Sequence, residues 1–277
     1  MLKVCFLFFA IIFCISVCGQ KFEQQDGLWY EVPDSANLKN KDFFNLDNNI
    51  YIPGREFFFT YQLIKNGDTL RVRVNHRNDT KTQNWSFLKN NEEDSLTISY
   101  LSFKVKNGYG GLDALFPEYS QTIIQQNYYS VYREILFDGS TGIIENEKNI
   151  WMHPFRGKYF SVLEFSPFPF FALPARAGKE WTWKLNDISE RWSDPRIIEY
   201  QGKQSAAYHY KIVGKKKVTS PLGTKECYVT EATAITSLGS TKLISYFNSE
   251  YGFMQLEYTN VDGSTIELKL ADVKNNR

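Results

Sequence analysis

The sequence predicts an all-β protein built from curved antiparallel sheets in a half-barrel or clam-like arrangement, with little helix. Residues 207–270 alternate apolar and polar side chains in successive strand-like segments, which Gly, Asn and Asp residues separate. Asn66-Gly67, the strongest two-residue hairpin signal, stands between two further alternating segments. The chain also contains 22 Phe, 17 Tyr and 6 Trp, which supply enough apolar area for a large core.

The N-terminus is typical of a secretory leader. Lys3 precedes an apolar run over residues 4–17, which is long for the core of a signal peptide and short for a membrane span. This pattern predicts a signal peptide of residues 1–19, cleaved before Gln20. Two alternatives stay open: acylation of Cys18, although Val17 stands where a lipoprotein signal has a small residue, or a retained anchor. We expect an exported protein, periplasmic or extracellular, with a lipid anchor at the outer membrane if Cys18 is acylated.

The cysteine content of the expected mature chain excludes an internal disulfide, and its charge argues against two classes of partner. Loss of residues 1–19 leaves Cys227 alone, so that no internal disulfide can form. Removing Lys3 from the 32 basic residues leaves 31, which equals the 31 acidic residues. A chain without net charge is not expected to hold nucleic acid or an anionic membrane surface by electrostatics. Membrane association is expected only through a lipidated Cys18.

The mature chain divides into two predicted β halves with an unusual connection. Residues 20–150 form the N-terminal half, and residues 179–277 form the C-terminal antiparallel half. Residues 151–178 are rich in proline and aromatic residues, and prolines 167, 169 and 174 remove backbone donors. This segment therefore cannot be a central strand, and we expect an extended crossover. Whether the two halves make one domain or two stays open.

In the N-terminal half, residues 20–50 are polar and predict a lead-in with little regular structure. Leu28-Trp29-Tyr30 and Phe43-Phe44 are expected to pin this lead-in to the body. The Asn66-Gly67 turn implies a register in which three apolar pairs share one face. These pairs are Leu63 with Leu70, Tyr61 with Val72, and Phe59 with Val74.

The next segments carry weaker signals. Residues 76–94 predict a solvated loop, and residues 96–105 predict a strand. Residues 112–119 predict a single helical turn, which Pro117 limits. A second hairpin is expected around Asp138-Gly139, with residues 128–137 as one arm and residues 142–145 as the other.

Two turns organise the C-terminal half. Ser220-Pro-Leu-Gly223 predicts a type I turn with Pro221 at its second position. The last hairpin brings two apolar sets to one face only if its loop has three residues, Val261-Asp262-Gly263. Such a loop needs Gly263 at positive φ. The two apolar sets are Met254, Leu256 and Tyr258 on one arm, and Ile266, Leu268 and Leu270 on the other.

The sequence carries no signature of catalysis, and we predict neither an enzyme nor a metal or cofactor. His76, His153 and His209 lack metal-ligand spacing, and no cysteine cluster accompanies them. No Gly-x-Ser-x-Gly nucleophile elbow and no phosphate-binding glycine loop is present. His153 is the most interesting of the three histidines, because it adjoins the aromatic crossover.

The aromatic crossover and the tryptophans that follow it are the candidate ligand-binding residues. One interpretation is that these side chains plug a seam between two lobes. The other is that some line a groove for an acyl chain, a peptide or another apolar ligand, or that they bind a protein partner in the envelope. The candidate residues are Phe165, Phe168, Phe170, Phe171, Trp181, Trp183 and Trp192.

A carbohydrate-active protein is the alternative. Trp181, Trp183 and Trp192 could stack on sugar rings, either in a binding module or in a glycoside hydrolase. A hydrolase needs two opposed carboxylates. The acidic residues near the tryptophans are Glu164, Glu180, Asp187, Glu190 and Asp194.

Several strand and turn motifs lie within residues 208–270: Tyr210-Lys-Ile-Val-Gly214, Val218-Thr-Ser-Pro-Leu-Gly-Thr224, Cys227-Tyr-Val229, Tyr246-Phe247 and Tyr251-Gly-Phe253. With these motifs the segment resembles the TapB-like envelope proteins, a domain-of-unknown-function family of Gram-negative bacteria. The resemblance covers about a quarter of the chain, within its C-terminal third. It implies a curved antiparallel sheet akin to the open half-barrels of periplasmic lipoprotein carriers, and it implies no catalytic residues.

Overall fold

Antiparallel β-strands dominate the part of the chain that the computed structural model describes, which is residues 21–33, 43–45, 47–76, 84–108 and 122–275. Sixteen strands lie within these residues, and fourteen of them form a single, strongly curved sheet. The prediction of an all-β fold with curved antiparallel sheets and little helix is confirmed. The predicted signal peptide, residues 1–19, and the predicted helical turn, residues 112–119, lie outside the described residues.

The strands of the first half are β1 (Phe22–Gln25), β2 (Leu28–Glu31), β3 (Arg55–Lys65), β4 (Asp68–Val74), β5 (Trp85–Lys89), β6 (Tyr100–Asn107), β7 (Thr122–Tyr129), β8 (Ile135–Glu145) and β9 (Asn149–Met152). Those of the second half are β10 (Phe170–Ala172), β11 (Glu180–Ile188), β12 (Gln204–Ser220), β13 (Gly223–Thr236), β14 (Gly239–Asn248), β15 (Gly252–Thr259) and β16 (Thr265–Asn275). Short 3₁₀ helices span Phe43–Asn45, Lys158–Phe165 and Glu190–Trp192. Among the described residues, no helix combines the length and the apolar character that crossing a membrane requires.

In the sheet, the last strand of the chain lies beside an early one. The order of strands runs β10-β9-β8-β7-β6-β3-β16-β15-β14-β13-β12-β11, with β4 and β5 branching from β3. Because β16 pairs with β3, the C-terminal half continues the sheet of the N-terminal half. Strands β10 and β11 are left as the two edges of the curved sheet.

The 3₁₀ helix Lys158–Phe165 lies inside the curve, and all eight of its residues are buried. Phe160 contacts Tyr61 on β3 and Tyr128 on β7, with ring centroids 5.2 and 5.9 Å apart. The backbone oxygen of Phe165 accepts a hydrogen bond from Thr241 on β14. An extended crossover was predicted here, so this helix differs from the prediction.

The prediction that residues 151–178 hold no central strand is wrong at its start, because Trp151 and Met152 belong to β9, which pairs with both β8 and β10. After prolines 167 and 169 the chain forms β10, which lies at the sheet edge.

The last hairpin has the predicted register. Leu256 lies opposite Leu268, and both side chains are buried. The Asn260 N–H donates to the Ser264 oxygen at 2.9 Å, which leaves a three-residue loop. Gly263 in that loop has φ 77°, as predicted. The β12–β13 turn also lies at Pro221-Leu222, between the paired residues Ser220 and Gly223.

The loop of that hairpin also anchors the interior helix through Asp262. The carboxylate accepts hydrogen bonds from Lys65 at 2.5 Å, Tyr159 at 2.9 Å and the Ser264 hydroxyl at 2.7 Å. Burial by itself raises the pKa of Asp262, but hydrogen bonds from Lys65, Ser264 and Tyr159 outweigh it and hold the pKa below its ordinary value. The ionised carboxylate therefore stabilises the fold.

Asp262→Asn is expected to lower the free energy of unfolding by about 1–3 kcal/mol at pH 7, because charge-assisted hydrogen bonds are weakened. Since the folded pKa is depressed, the contribution is present above the unfolded pKa of about 3.9 and is lost as the pH falls through the folded pKa. Urea denaturation at pH 7 and at acid pH should show the difference from wild type shrinking in acid. Glu226→Gln, in an exposed pair with Lys215, should leave stability unchanged. A difference that persists in acid would contradict this assignment.

The predicted turn at Asn66-Gly67 is confirmed, but two of the three residue pairs predicted for its hairpin are wrong. Asn66 and Gly67 have φ 54° and 85°, and Leu63 pairs with Leu70. Beyond this point β4 separates from β3, so that the predicted pairs of Tyr61 with Val72 and of Phe59 with Val74 do not form in the ladder. Hydrogen bonds of the Tyr61 hydroxyl replace the missing backbone pairing between β3 and β4. The hydroxyl accepts from the Val72 N–H at 2.9 Å and donates to the Ile98 oxygen at 2.7 Å.

The predicted hairpin around Asp138-Gly139 is wrong. Strand β8 runs straight through these two exposed residues. The turn lies at Ser130–Glu134 instead, where the Ser130 N–H donates to the Glu134 oxygen at 2.9 Å and Arg133 has φ 60°. An arginine in the left-handed conformation gives no sequence signal for a turn.

Two segments that were expected to be irregular contain strands. Residues 76–94 include β5, whose Trp85 is 8% exposed and packs in the core. Residues 20–50 include the β1–β2 hairpin. Leu28 and Phe44 are buried, so the prediction that aromatic and apolar residues pin this lead-in is confirmed.

Candidate functional site

The sheet has a seam where its two edges approach each other. Within the described residues, no strand pairing joins β10 to β11. Aromatic side chains fill the gap instead: Trp151 on β9 contacts Trp183 on β11 at 5.5 Å, and Phe170 on β10 contacts Trp181 at 5.6 Å. The seam is therefore closed by packing rather than by backbone hydrogen bonds.

The seven predicted aromatic residues do not form one surface. Five of them are buried: Phe165, Phe168, Phe170, Phe171 and Trp183. Trp181 is half-buried, and one face of its indole is stacked on Tyr210 with a 3° angle between the rings. Trp192 is half-buried too, with the guanidinium carbons of Arg156 and Arg191 at 4.8 and 4.7 Å from its ring centre.

The β1–β2 hairpin crosses the seam on its outside. The Lys184 N–H on β11 donates to the Asp26 oxygen at 2.9 Å. On the other side, the Asn149 side chain accepts from the Trp29 N–H at 2.9 Å and donates to the Trp29 oxygen at 3.0 Å. Gly27 fits because a Cβ there would overlap the backbone oxygen of Thr182. The hairpin thus binds edge strand β11 on one side of the seam and β9, the neighbour of edge strand β10, on the other.

A cavity of about 290 Å³ lies between this hairpin and the seam. Its volume is close to the lower end of the usual range for ligand pockets. Apolar side chains make up one part of the lining: Leu28, Tyr30, Trp151, Phe168, Trp183 and Leu185. Polar side chains make up the remainder: Gln25, Asp26, His153, Lys184, Asn186 and Asp187.

Of the seven predicted residues, Phe168 and Trp183 line this cavity. Sequence analysis missed Leu28, Tyr30 and Trp151 as lining residues. Asp26-Gly27 is a two-residue turn signal and could have revealed the hairpin. Trp151 begins the aromatic crossover, residues 151–178, but its place in the cavity depends on closure of the sheet, which no local signal shows.

His153 lies between Trp151 and Phe168, with ring centres 4.9 and 5.0 Å away. Burial lowers the pKa of His153 well below its ordinary value, and the positive charges of Arg156 and Arg191 lower it further. The imidazole is therefore neutral at neutral pH.

Glu164 stands in the same electrostatic environment as His153. Its carboxylate oxygen lies 3.4 Å from the Arg156 guanidinium. Burial raises the pKa of Glu164, while the positive charges of Arg156 and Arg191 act in the opposite direction.

The five carboxylates considered for hydrolysis all have partners. Glu164, Glu180, Asp187 and Asp194 form ion pairs, and Glu190 accepts a hydrogen bond from the Gly202 N–H at 3.2 Å. Among these five, Asp187 lines the cavity, where the other carboxylate is Asp26. The Asp187 carboxylate is engaged by Lys203 at 2.5 Å.

Other chemistry-bearing groups give no further site. Within the described ranges, no group of three or more His, Cys, Asp or Glu side chains could hold a metal ion. Cys227 is a buried free thiol, and burial raises its pKa to about 11. The thiol therefore stays protonated at neutral pH and is a poor nucleophile.

No family model matches the chain, and no curated protein matches it. Solved structures with a similar course of the chain include a Bacteroides fragilis protein described as exported, with a YmcC-like fold (11% identity, 80% of this chain, 96% of that chain, TM-score 0.42). A protein described as a lipoprotein from Parabacteroides distasonis has 12% identity, coverage of 82% and 100%, and a TM-score of 0.39. The hypothetical lipoprotein YmcC of Escherichia coli has 9% identity, coverage of 89% and 99%, and a TM-score of 0.31.

With TM-scores below 0.5, these similarities extend neither a ligand nor a role to this chain. The resemblance of residues 208–270 to the TapB-like envelope proteins stays a prediction.

Proposed function

We propose that this chain is an exported envelope protein that binds a small apolar ligand, without catalysis, in the cavity beneath the β1–β2 hairpin. The aromatic and aliphatic lining of that cavity is the observation that carries the proposal. Export is supported by the basic residue and apolar run at the N-terminus, which suit a cleaved leader or a lipidated Cys18. Nucleic acid is not a proposed partner, since the mature chain has no net charge.

The physical basis is displacement of water from an apolar cavity. A volume of about 290 Å³ corresponds to about ten waters at ~30 Å³ each. The indole and phenyl rings of the lining offer water no hydrogen-bond acceptor, so an apolar ligand that covers them gains about 25 cal/mol for each Å² of apolar surface removed from water. The β1–β2 hairpin, whose β1 residues are mostly exposed, covers the cavity from outside.

A carbohydrate-binding module or glycoside hydrolase is the less supported alternative. Stacking on a sugar needs a free indole face. Tyr210 covers one face of Trp181, and two guanidinium groups lie against Trp192. Trp183 is 5% exposed and stacks on Tyr208. An apolar ligand suits this arrangement, in which other side chains cover the indole faces, better than a sugar does.

The test is binding of a neutral apolar probe, N-phenyl-1-naphthylamine, followed by its fluorescence. Wild type is expected to bind it, and Leu185→Trp is expected to weaken binding at least tenfold, because the larger side chain fills the cavity at its rim. Tyr132→Trp is the matched control, since Tyr132 is 69% exposed and lies outside the cavity lining. No binding by wild type, or equal binding by both variants, would overturn the proposal.

A further inference from the structure

The β1–β2 hairpin supplies one wall of the cavity, and the sheet supplies the other. Four lining residues belong to the hairpin: Gln25, Asp26, Leu28 and Tyr30. The other lining residues belong to β9, to the segment that follows β9 and to β11. A ligand in the cavity is therefore in reach of both walls, and its affinity depends on where the hairpin lies.

The hairpin is not a stable unit by itself. A two-stranded hairpin is marginally stable at best in water. Of the eight residues in its strands, two are buried, Leu28 and Glu31. The three residues of β1 that follow Phe22 are all exposed. The position of the hairpin therefore depends on its contacts with the sheet and with the contents of the cavity.

On the β9 side, a buried side chain holds the hairpin. Asn149 is fully buried, and its side chain accepts from the Trp29 N–H at 2.9 Å and donates to the Trp29 oxygen at 3.0 Å. The Asn146 side chain donates to the same oxygen at 3.1 Å. The Lys148 amine lies 5.3 Å from the centre of the Phe22 ring. Because hydrogen bonds are stronger away from water, this is the fixed side of the hairpin.

On the β11 side, the hairpin meets the sheet at its turn. The Lys184 N–H donates to the backbone oxygen of Asp26 at 2.9 Å, and Asp26 is an exposed residue. Gly27 makes the closest approach, because a Cβ there would overlap the backbone oxygen of Thr182. Water can replace a hydrogen bond at an exposed turn at little cost, so this side is the easier one to release.

We propose that the β1–β2 hairpin is a clamp, which pivots at Asn149 and closes at Gly27 over the bound ligand. This inference rests on the proposed function and concerns the regulation of that same site. When the turn leaves β11, the cavity opens along this edge strand and the ligand enters. The ligand contacts the hairpin in the closed state alone, so its additional affinity for that state shifts the equilibrium towards closure.

Hydrogen exchange tests the coupling between ligand and hairpin in the wild-type protein. The ligand is N-phenyl-1-naphthylamine at a saturating concentration, and mass spectrometry of peptic peptides follows the exchange. The peptide that contains residues 22–31 is expected to exchange at least tenfold more slowly with the probe bound. A peptide from β15 and β16, which contribute nothing to the cavity lining, is the reference and should exchange at an unchanged rate.

Gly27→Ala and Gly67→Ala form a matched pair of variants. Each glycine is the second residue of a two-residue turn and has positive φ, 101° and 85°, after a residue with φ 54°. A Cβ at Gly27 would overlap the sheet, whereas nothing lies within 4 Å of a Cβ at Gly67. Gly27→Ala is therefore expected to hold the clamp open and to weaken probe binding at least tenfold, while Gly67→Ala binds the probe as wild type does.

Two outcomes overturn the clamp. One is binding of the probe by wild type without slower exchange of the hairpin peptide. The other is equal affinity of Gly27→Ala and Gly67→Ala for the probe. In both cases the probe still binds, and the proposed function survives. Failure of wild type to bind the probe removes the proposed function itself, and the clamp with it.

Discussion

Replacing Glu145 with alanine is expected to lower the free energy of unfolding by about 3–5 kcal/mol, because three backbone donors, two of them buried, lose their acceptor. The Glu145 carboxylate at the end of β8 accepts hydrogen bonds from the N–H groups of Asn49, Ile50 and Tyr51, at 2.9, 3.0 and 2.7 Å. This segment precedes β3 and has no ladder partner of its own in the sheet. One side chain therefore replaces the hydrogen bonds that a strand would supply.

The magnitude follows from burial. Glu145 is 6% exposed, and burial raises its pKa, although the three backbone hydrogen bonds act in the opposite direction. Each unsatisfied buried donor costs about 1–3 kcal/mol, less where water can enter. Urea denaturation followed by tryptophan fluorescence measures the change.

A neighbouring residue provides the control for Glu145. Glu147 lies two positions along the chain in an exposed pair with Lys148. Glu147→Ala should therefore change stability by no more than about 0.5 kcal/mol. A Glu145→Ala variant as stable as Glu147→Ala would show that the three N–H groups find other acceptors.

Turns were predictable where one residue type carries the geometry. Gly67 and Gly263 both have positive φ, and each stands in a segment whose apolar pattern agrees with the turn. Arg133 also has positive φ, but an arginine gives no such signal, so the β7–β8 turn was assigned to Asp138-Gly139 instead. Local rules find a turn only when the residue that makes it is unusual.

Strand partners at long range could not be predicted from the sequence. The pattern of β3 suits β4, β6 and β16 equally well, because each offers apolar residues at alternate positions. Tyr61 decides the outcome, since its hydroxyl bridges Val72 and Ile98 and holds β4 away from the ladder. The sequence gives no signal that distinguishes a bridging tyrosine from any other tyrosine in a strand.

The candidate site shows the same division between local and distant information. The clustering of aromatic residues in one stretch of the sequence predicts Phe168 and Trp183 as binding residues. The hairpin that covers them has an Asp26-Gly27 signal, but polar residues flank it, because its β1 strand faces solvent. Trp151 and Tyr30 join the cavity only when the sheet curves and the hairpin crosses its edges.

Replacing Gly252 with alanine is expected to lower the free energy of unfolding by about 3–5 kcal/mol, from backbone strain and overpacking together. Gly252 begins β15 with φ 73°, and a Cβ there would overlap the hydroxyl of Tyr51. Tyr51 is fully buried, accepts from the Phe253 N–H at 3.1 Å and packs on Phe57, so it has no free space to move into.

Gly263→Ala separates the two causes. Gly263 has a similar φ of 77°, but nothing lies within 4 Å of a Cβ there. It should cost only about 1–2 kcal/mol, the strain of the left-handed conformation alone. Equal losses in the two variants, measured by urea denaturation, would show that Tyr51 yields to the methyl group.

Gly252 and Glu145 act on the same short segment from opposite sides. Glu145 on β8 holds the backbone of residues 49–51, while the Tyr51 hydroxyl binds the backbone of β15. Once either contact is lost, the segment is free to move, and the second substitution lowers the free energy of unfolding by less than it does in the wild type. The double variant Glu145→Ala/Gly252→Ala is therefore expected to lose less stability than the sum of the two single variants, by about 0.5–3 kcal/mol. Strict additivity would mean that the segment is held by other contacts and that the two sites act independently.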